Sequence, residues 1–386
     1  MNVLLPQADE PMELILKLTG ETCNINCYYC YEKRKPYPQA SYLDTASLVS
    51  LLTLLEPRPL SVHLLGGEPL LFGMERMRSI FAALRAYRGG IRVGIQTNGT
   101  LLSGEWLSFF SIEWPEIQIG ISIDGPEELN GFRVDYRDNS TFLAVCDAMQ
   151  RLHDHGLEVG VISVITRKSI TSAPRLLDFI SNFEAVRALN FAPCFDYRVT
   201  LKRVPKGNFI SIQRLTSGKE SPDWAITPEQ YAEFLCSAYD HWAKTSLYQR
   251  FSIEPFMSII RKLLGRTPGS CHFSEQKCAY SVTLYPDGRI GTCDEIDMPL
   301  GLISEMRYIS NKEDFLWWQR NDALRTRVSR LLKVCDSCAY QSTCGGGCLA
   351  TRLKYEGTEM EEEYCRYRST IIDHINSSLA ENGIML

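Results

Sequence analysis

From Met12 to about Pro193 the chain alternates short runs rich in β-branched residues with amphipathic stretches of helical length, the rhythm of repeated βα units. The β-rich runs fall near residues 13–18, 60–65, 91–97, 117–123, 158–165 and 187–191. Between them, apolar residues spaced by three and four predict helices such as 44–55, 74–87, 141–154 and 173–183. Six such units predict an α/β fold, a partial (β/α)6 TIM-like barrel, in which sites gather just after the C-terminal ends of the strands. The rhythm stops between Arg198 and Asp223, where Lys202, Arg203, Pro205, Lys206 and Gly207 lead into a stretch containing Ser and Gly. A mobile solvated loop is the default expectation there, and a lid touching substrate is the alternative. At Thr227-Pro228-Glu229 a helix begins, with Thr227 as N-cap and Pro228 in its first position, and it runs to about Lys244. The expected division is a barrel over 1–226, a helical bridge over 227–270 and a smaller cysteine-rich domain over 271–386.

Candidate chemistry concentrates directly after the first β-rich run, at Cys23, Cys27 and Cys30, a CxxxCxxC set on one short loop. Three thiolates can hold three corners of an iron-sulfur cube and leave the fourth iron open, whereas a structural zinc site needs four ligands in a closed tetrahedron. No fourth Cys or His lies close in sequence, so the competing reading is a zinc knuckle completed from elsewhere. The chain has 14 cysteines in 386 residues, most of them in this loop and in a second field from Cys271 to Cys365. Residues 1–11 have neither a basic segment nor a long apolar one, and with that concentration this argues for reduced metal-binding thiols over disulfides. Cys146, Cys194 and Cys236 stand alone in apolar surroundings and read as inert buried thiols. A formal net charge of -5 gives no basic footprint for nucleic acid. No apolar run reaches the roughly 18 residues of a membrane span, and the expected location is cytoplasmic.

The turns after the next three strands add polar groups at the same end of the barrel. Gly66-Gly67-Glu68-Pro69 follows the second strand, and its two glycines allow a bend that lets a ligand reach main-chain groups, although a plain turn entering a helix reads the same way. Gln96-Thr97-Asn98-Gly99-Thr100 follows the third strand and Ser122-Ile123-Asp124-Gly125-Pro126 the fourth. Asn-Gly and Asp-Gly form turns on any fold.

Cys23, Cys27 and Cys30, with aromatic Tyr29 before the last of them, resemble the signature of the radical S-adenosylmethionine (radical SAM) superfamily. The resemblance implies a 4Fe-4S cluster whose open iron is chelated by SAM. It also implies cleavage of SAM to methionine and a 5'-deoxyadenosyl radical, which takes a hydrogen atom from an unactivated C–H bond. By the same resemblance Gly66, Gly67 and Glu68 meet the SAM amine, the segments holding Gln96 and Asn98 and holding Ser122 and Asp124 contact its ribose and carboxylate, and Arg133 and Tyr29 belong to the same cofactor site. Leu129 and Asn130 replace the polar His-Asp pair that often precedes that arginine.

Cys278, Gly288 and Cys293, followed by C-x2-C-x5-C-x3-C-x16-C over Cys335, Cys338, Cys344, Cys348 and Cys365, resemble the SPASM extension of radical SAM maturases. The last interval is one residue shorter than usual. This resemblance implies two auxiliary 4Fe-4S clusters, three in all with the SAM-binding one. Cys271, Cys278, Cys293 and Cys348 would surround one, and Cys335, Cys338, Cys344 and Cys365 the other, with zinc at the CxxC pair as the alternative. Gly345, Gly346 and Gly347 would let the backbone wrap a cluster. Asp294, next to Cys293, matches an aspartate thought to deprotonate the substrate in anaerobic sulfatase maturases; an exposed loop carboxylate is the plain reading.

The implied activity is that of a radical SAM oxidoreductase, first a maturase that crosslinks a ribosomally made precursor peptide through a C–C, C–O or C–S bond, as in a cyclophane or thioether. The second reading is an anaerobic sulfatase maturase forming formylglycine on a sulfatase. A third, from a different class, is a non-catalytic iron-sulfur or zinc scaffold. The implied partners are the peptide, an external electron donor such as flavodoxin or ferredoxin and, because the segment before the first strand is too short for a leader-binding domain, a separate leader-binding protein. Neither nucleic acid nor a membrane is expected as a partner.

Overall fold

The computed structural model describes residues 10–32, 42–195, 199–206, 209–216, 222–296, 299–306 and 322–383. Met12–Lys17 (β1), Leu60–Leu65 (β2), Ile91–Thr97 (β3), Gln118–Ser122 (β4), Val159–Ile165 (β5) and Val186–Pro193 (β6) pair in parallel and in chain order. Alternate residues explain the layering: Leu60, Val62 and Leu64 of β2 and Val93 and Ile95 of β3 are buried, while Ser61, His63, Gly94 and Gln96 point to the opposite face. The buried face lies beneath Thr45–Leu55 (α1), Met74–Arg85 (α2), Gly104–Glu113 (α3), Phe142–Asp154 (α4) and Ala173–Ser181 (α5). In α1, Leu48, Leu51, Leu52 and Leu55 form one buried stripe, each side chain worth about 1.5–3 kcal/mol of burial. The Asp44 carboxylate accepts from the Ser47 amide at 3.1 Å and caps that helix. The other face of the sheet lines a cavity of about 540 Å³ that includes His63, Gly94, Gln96, Gly120 and Gly160.

The stretch expected as a mobile solvated loop is in part an antiparallel hairpin. Val199–Lys206 (β7) pairs with Phe209–Thr216 (β8), from Val199 opposite Thr216 to Lys206 opposite Phe209. Pro205 and the basic residues mask an alternation of Val, Leu and Ile with polar residues that suits a two-stranded ribbon. Arg198 and Gly207 lie outside the described residues. The helix Pro228–Lys244 (α6) opens with a capping box in which the Thr227 hydroxyl accepts from the Gln230 amide and the Gln230 side chain accepts from the Thr227 amide.

Two further parallel strands widen the barrel sheet. Ser252–Glu254 (β9) pairs with β6, and Ser281–Leu284 (β10) pairs with β1, so the cysteine-rich part of the chain builds onto the barrel's own edge. Arg289–Gly291 (β11) and Pro299–Leu302 (β12) continue outward from β10 in antiparallel fashion. A second tie is aromatic. Phe195, just after β6, packs against Tyr231 of α6 and against Tyr355, Tyr364 and Tyr367 of the cysteine-rich part, with ring centroids 5.6 to 6.3 Å away. No helix among the described residues is long and apolar enough to cross a membrane.

Candidate active site

The loop after β1 carries Cys23, Cys27 and Cys30 at the C-terminal end of the barrel strands, and Cys23 lies within electrostatic reach of the other two thiols. Backbone bonds from the Asn26 amide to the Val134 carbonyl (2.6 Å) and from the Tyr28 amide to the Phe132 carbonyl (3.0 Å) strap this loop to the segment bearing Arg133. On its other side stands the Gly66-Gly67-Glu68 turn, where the Gly67 amide reaches the Gly20 carbonyl at 2.7 Å and the Glu68 amide reaches that of Thr22 at 2.9 Å. A Cβ on Gly67 would come within 2.3 Å of the Thr22 carbonyl oxygen, so only glycine permits this approach.

Glu68 is fully buried and joins the turns after β2 and β3. Its carboxylate accepts from the Thr97 hydroxyl (2.7 Å), the Asn98 amide (2.8 Å) and the Leu70 amide (3.1 Å). Burial nonetheless pushes its pKa up, because those donors only partly offset the loss of water. Asn98 turns its side-chain amide toward Asn24 (2.9 Å) and the Cys23 sulfur (3.6 Å). Burial pushes the Cys23 thiol up to about 11, and the nearby Glu68 charge adds to the rise.

Arg133, Tyr29 and Asp124 form a buried chain. The Arg133 guanidinium donates to the Tyr29 hydroxyl at 2.9 Å, and that hydroxyl donates to Asp124 at 2.6 Å. Burial raises the pKa of both Tyr29 and Asp124, with Arg133 pulling each back. The Arg133 Nε is buried and lacks a hydrogen-bond partner among the described residues, an orphaned donor of the kind a bound carboxylate satisfies. Asn130, in place of an acidic partner, uses its Oδ1 to accept from the Asp124 amide at 3.0 Å. Beside this chain the Gln96 amide donates to the Ser122 hydroxyl at 2.9 Å.

Asp294 is buried, contrary to the plain reading of an exposed loop carboxylate. The Lys17 ammonium, at the end of β1, lies 2.6 Å from Asp294 and 2.5 Å from Glu32, and the Tyr31 hydroxyl donates to Asp294 at 2.8 Å. The first cysteine loop and the second cysteine field therefore meet at one lysine. Sequence reasoning missed Lys17, Tyr31 and Glu32; the signal was a lysine on an otherwise apolar strand directly before a cysteine loop.

In the second field Cys278 is hydrogen-bonded to Cys293 and lies within electrostatic reach of Cys271 and Cys348. Cys335 lies within reach of Cys338, Cys344 and Cys365. Burial works to raise Cys348, yet the hydrogen-bonded His272 ring holds it down at about 6. Cys344 is likewise held below the usual thiol range by Arg368 in spite of burial. Gly345, Gly346 and Gly347 all have positive φ, and a Cβ on Gly345 would come within 2.3 Å of the Phe273 carbonyl oxygen. Among the described residues no three Cys, His, Asp or Glu side chains converge tightly enough to hold a single metal ion. Cys146 and Cys236 stand apart, both half-buried with thiols pushed up to about 11 by burial, and Cys194 is buried near Tyr29 and Phe132.

Residues 18–180 match the model of the radical SAM superfamily. The serine-type anaerobic sulfatase-maturating enzyme of Bacteroides thetaiotaomicron is 27% identical over 373 residues, covering 89% of this chain and 84% of that protein. The cysteine-type anaerobic sulfatase-maturating enzyme of Clostridium novyi is 24% identical over 356 residues, covering 87% of each chain. In fold, the chain is similar to anSMEcpe solved with bound AdoMet, with a TM-score of 0.78 at 23% identity over 97% of this chain and 96% of that one. Strand order, the placement of the cysteine loop and these likenesses agree: residues 18–180 form a radical SAM domain, in a chain related over most of its length to the anaerobic sulfatase-maturating enzymes.

Proposed function

We propose that the chain oxidises a side chain of a peptide or protein substrate, removing one hydrogen atom, one proton and one electron, with formylglycine formation on a Ser or Cys as the leading product. The observation that carries this reading is Asp294. A buried carboxylate, fixed by Lys17 and Tyr31, stands where the first cysteine loop and the second cysteine field meet. The formylglycine product moves ahead of peptide crosslinking because the relatives named as anaerobic sulfatase-maturating enzymes align over most of their length. Crosslinking shares the same first steps and has no residue of its own in this structure.

The donor set fits the cofactors. Cys23, Cys27 and Cys30 would hold the SAM-binding 4Fe-4S cluster, and the two sets of four thiols the auxiliary clusters. The orphaned Arg133 Nε fits the SAM carboxylate, and Gln96 and Ser122 suit a ribose hydroxyl. A lone zinc ion, with thiolates about 2.3 Å from it, would need its ligands gathered more tightly than any three side chains described. When bound, cluster and SAM supply a 5'-deoxyadenosyl radical, which no side chain can provide.

The chain's own residues do the rest. Arg133, Tyr29 and Asp124 orient the cofactor's charged end, and Glu68 fixes two of the turns around it. After a hydrogen atom leaves the substrate's β-carbon, Asp294 accepts the proton from its hydroxyl or thiol. The electron passes to the cysteine-rich part. Incubation with SAM, dithionite and a Ser- or Cys-containing sulfatase peptide tests the reading: hydrazine capture of a peptide aldehyde supports it. Loss of two hydrogens without an aldehyde points to crosslinking, and no 5'-deoxyadenosine at all leaves the non-catalytic scaffold.

A further inference from the structure

We infer that Arg352 and Arg368 make the group held by Cys335, Cys338, Cys344 and Cys365 the most easily reduced of the three, so that an electron taken from the substrate comes to rest there. The inference builds on the cluster reading above. Both guanidiniums are almost completely enclosed, at 2% and 1% exposure. Neither spends its donors on a carboxylate. Arg352 donates to the Cys365 sulfur at 3.3 Å, to the Cys335 sulfur at 3.8 Å and to the Gly346 carbonyl. Arg368 donates to the Cys344 sulfur at 3.0 Å, to the Cys344 and His272 carbonyls at 2.8 and 3.0 Å, and to the Tyr367 hydroxyl at 3.3 Å. One nitrogen of Arg352, NH1, is buried with no partner among the described residues.

A buried guanidinium needs an anion beside it. The nearest candidates are the thiolates, so two fixed positive charges touch three of the four sulfurs of one set. Reduction adds one negative charge to such a group. Cations at hydrogen-bond distance from its sulfurs favour that charge and raise the reduction potential.

The other two sets lack this arrangement. Around Cys271, Cys278, Cys293 and Cys348, the Lys277 ammonium bonds to the Gly347 carbonyl at 2.9 Å, and His272 touches one sulfur, that of Cys348. Cys23 receives a neutral amide from Asn98 and faces the Glu68 carboxylate. Electrostatics thus orders the three sets, lowest at the SAM site and highest between the arginines. Cys293 adjoins Asp294, so the middle set is the nearer relay. The substrate carbon gives up one electron after its proton leaves, the arginine-flanked group gains that electron, and a soluble electron-transfer protein removes it later.

The test uses the full chain reconstituted anaerobically, with Cys23, Cys27 and Cys30 replaced by Ala so that two sets remain, and a redox titration followed by electron paramagnetic resonance. Two one-electron transitions are expected, the higher of which disappears in Cys338→Ala. Arg352→Gln should lower that higher transition by at least tenfold in the reduction equilibrium, about 59 mV for one electron, and leave the lower one in place. Arg352→Lys keeps the charge without the planar fork and should move it less, which carries the test if the Gln variant loses iron. Full iron and sulfide with an unmoved higher transition, or loss of the lower transition in Cys338→Ala, overturns the inference alone. A parent protein without iron-sulfur signals overturns the cluster reading and the inference with it.

Discussion

The two cysteine fields use the same ligand under opposite electrostatic conditions. The first is a three-thiol loop at the strand ends, bordered by neutral amides and by the buried Glu68 carboxylate. The second is wrapped by glycines and packed with buried cations at Arg352, Arg368 and Lys277. A site that must give an electron away benefits from the first surrounding, and a site that must accept one from the second. Ligand count says where a cluster binds; the neighbouring charges say which way electrons run.

That contrast can be broken at several points, the most damaging first. Replacing Cys27 by Ala should abolish 5'-deoxyadenosine formation and remove about one third of the iron, since one of three clusters is lost; unchanged turnover would detach the chemistry from this loop. Substitution of Asp294 by Asn should cut substrate oxidation by about 10²–10⁴-fold while SAM cleavage continues, a split visible by measuring peptide product and 5'-deoxyadenosine in one reaction. For Glu68→Gln, a carboxylate with three protein donors becomes an amide that repels at least one of them, at a cost of about 1–3 kcal/mol. Thermal unfolding of the iron-loaded protein should shift down accordingly. In Gly120→Ala the new Cβ falls 2.1 Å from the Gln96 side-chain oxygen. Gln96 must leave Ser122, and SAM affinity measured by equilibrium dialysis should weaken several-fold with iron content intact. Cys146→Ala and Cys236→Ala define the floor: iron content equal to the parent protein's is expected, and a loss in either would enlarge the cluster fields.

Much of the barrel was legible because its strands alternate cleanly and its site sits in turns with fixed spacing. The six strands from β1 to β6 lie within a few residues of their expected positions. The hairpin β7–β8 was hidden by Pro205 and a run of basic residues. What sequence could not supply was long-range charge pairing. Lys17 and Asp294 are 277 positions apart, and nothing local to either marks the other. Arg352 and Arg368 looked like ordinary helix arginines, although each follows a cysteine by one helical turn, four residues after Cys348 and three after Cys365.

The parallel pairing of β10 with β1 also bears on how the chain assembles. During synthesis the first strand emerges early, yet its outer edge has no neighbour until residues 281–284 leave the ribosome. For most of translation the nascent barrel shows water a row of unsatisfied amides and carbonyls, an invitation to aggregation that the cell must shield. Closure of that edge and delivery of the last metal-binding thiols are thus joined in time, so that the protein is completed from its C-terminal end.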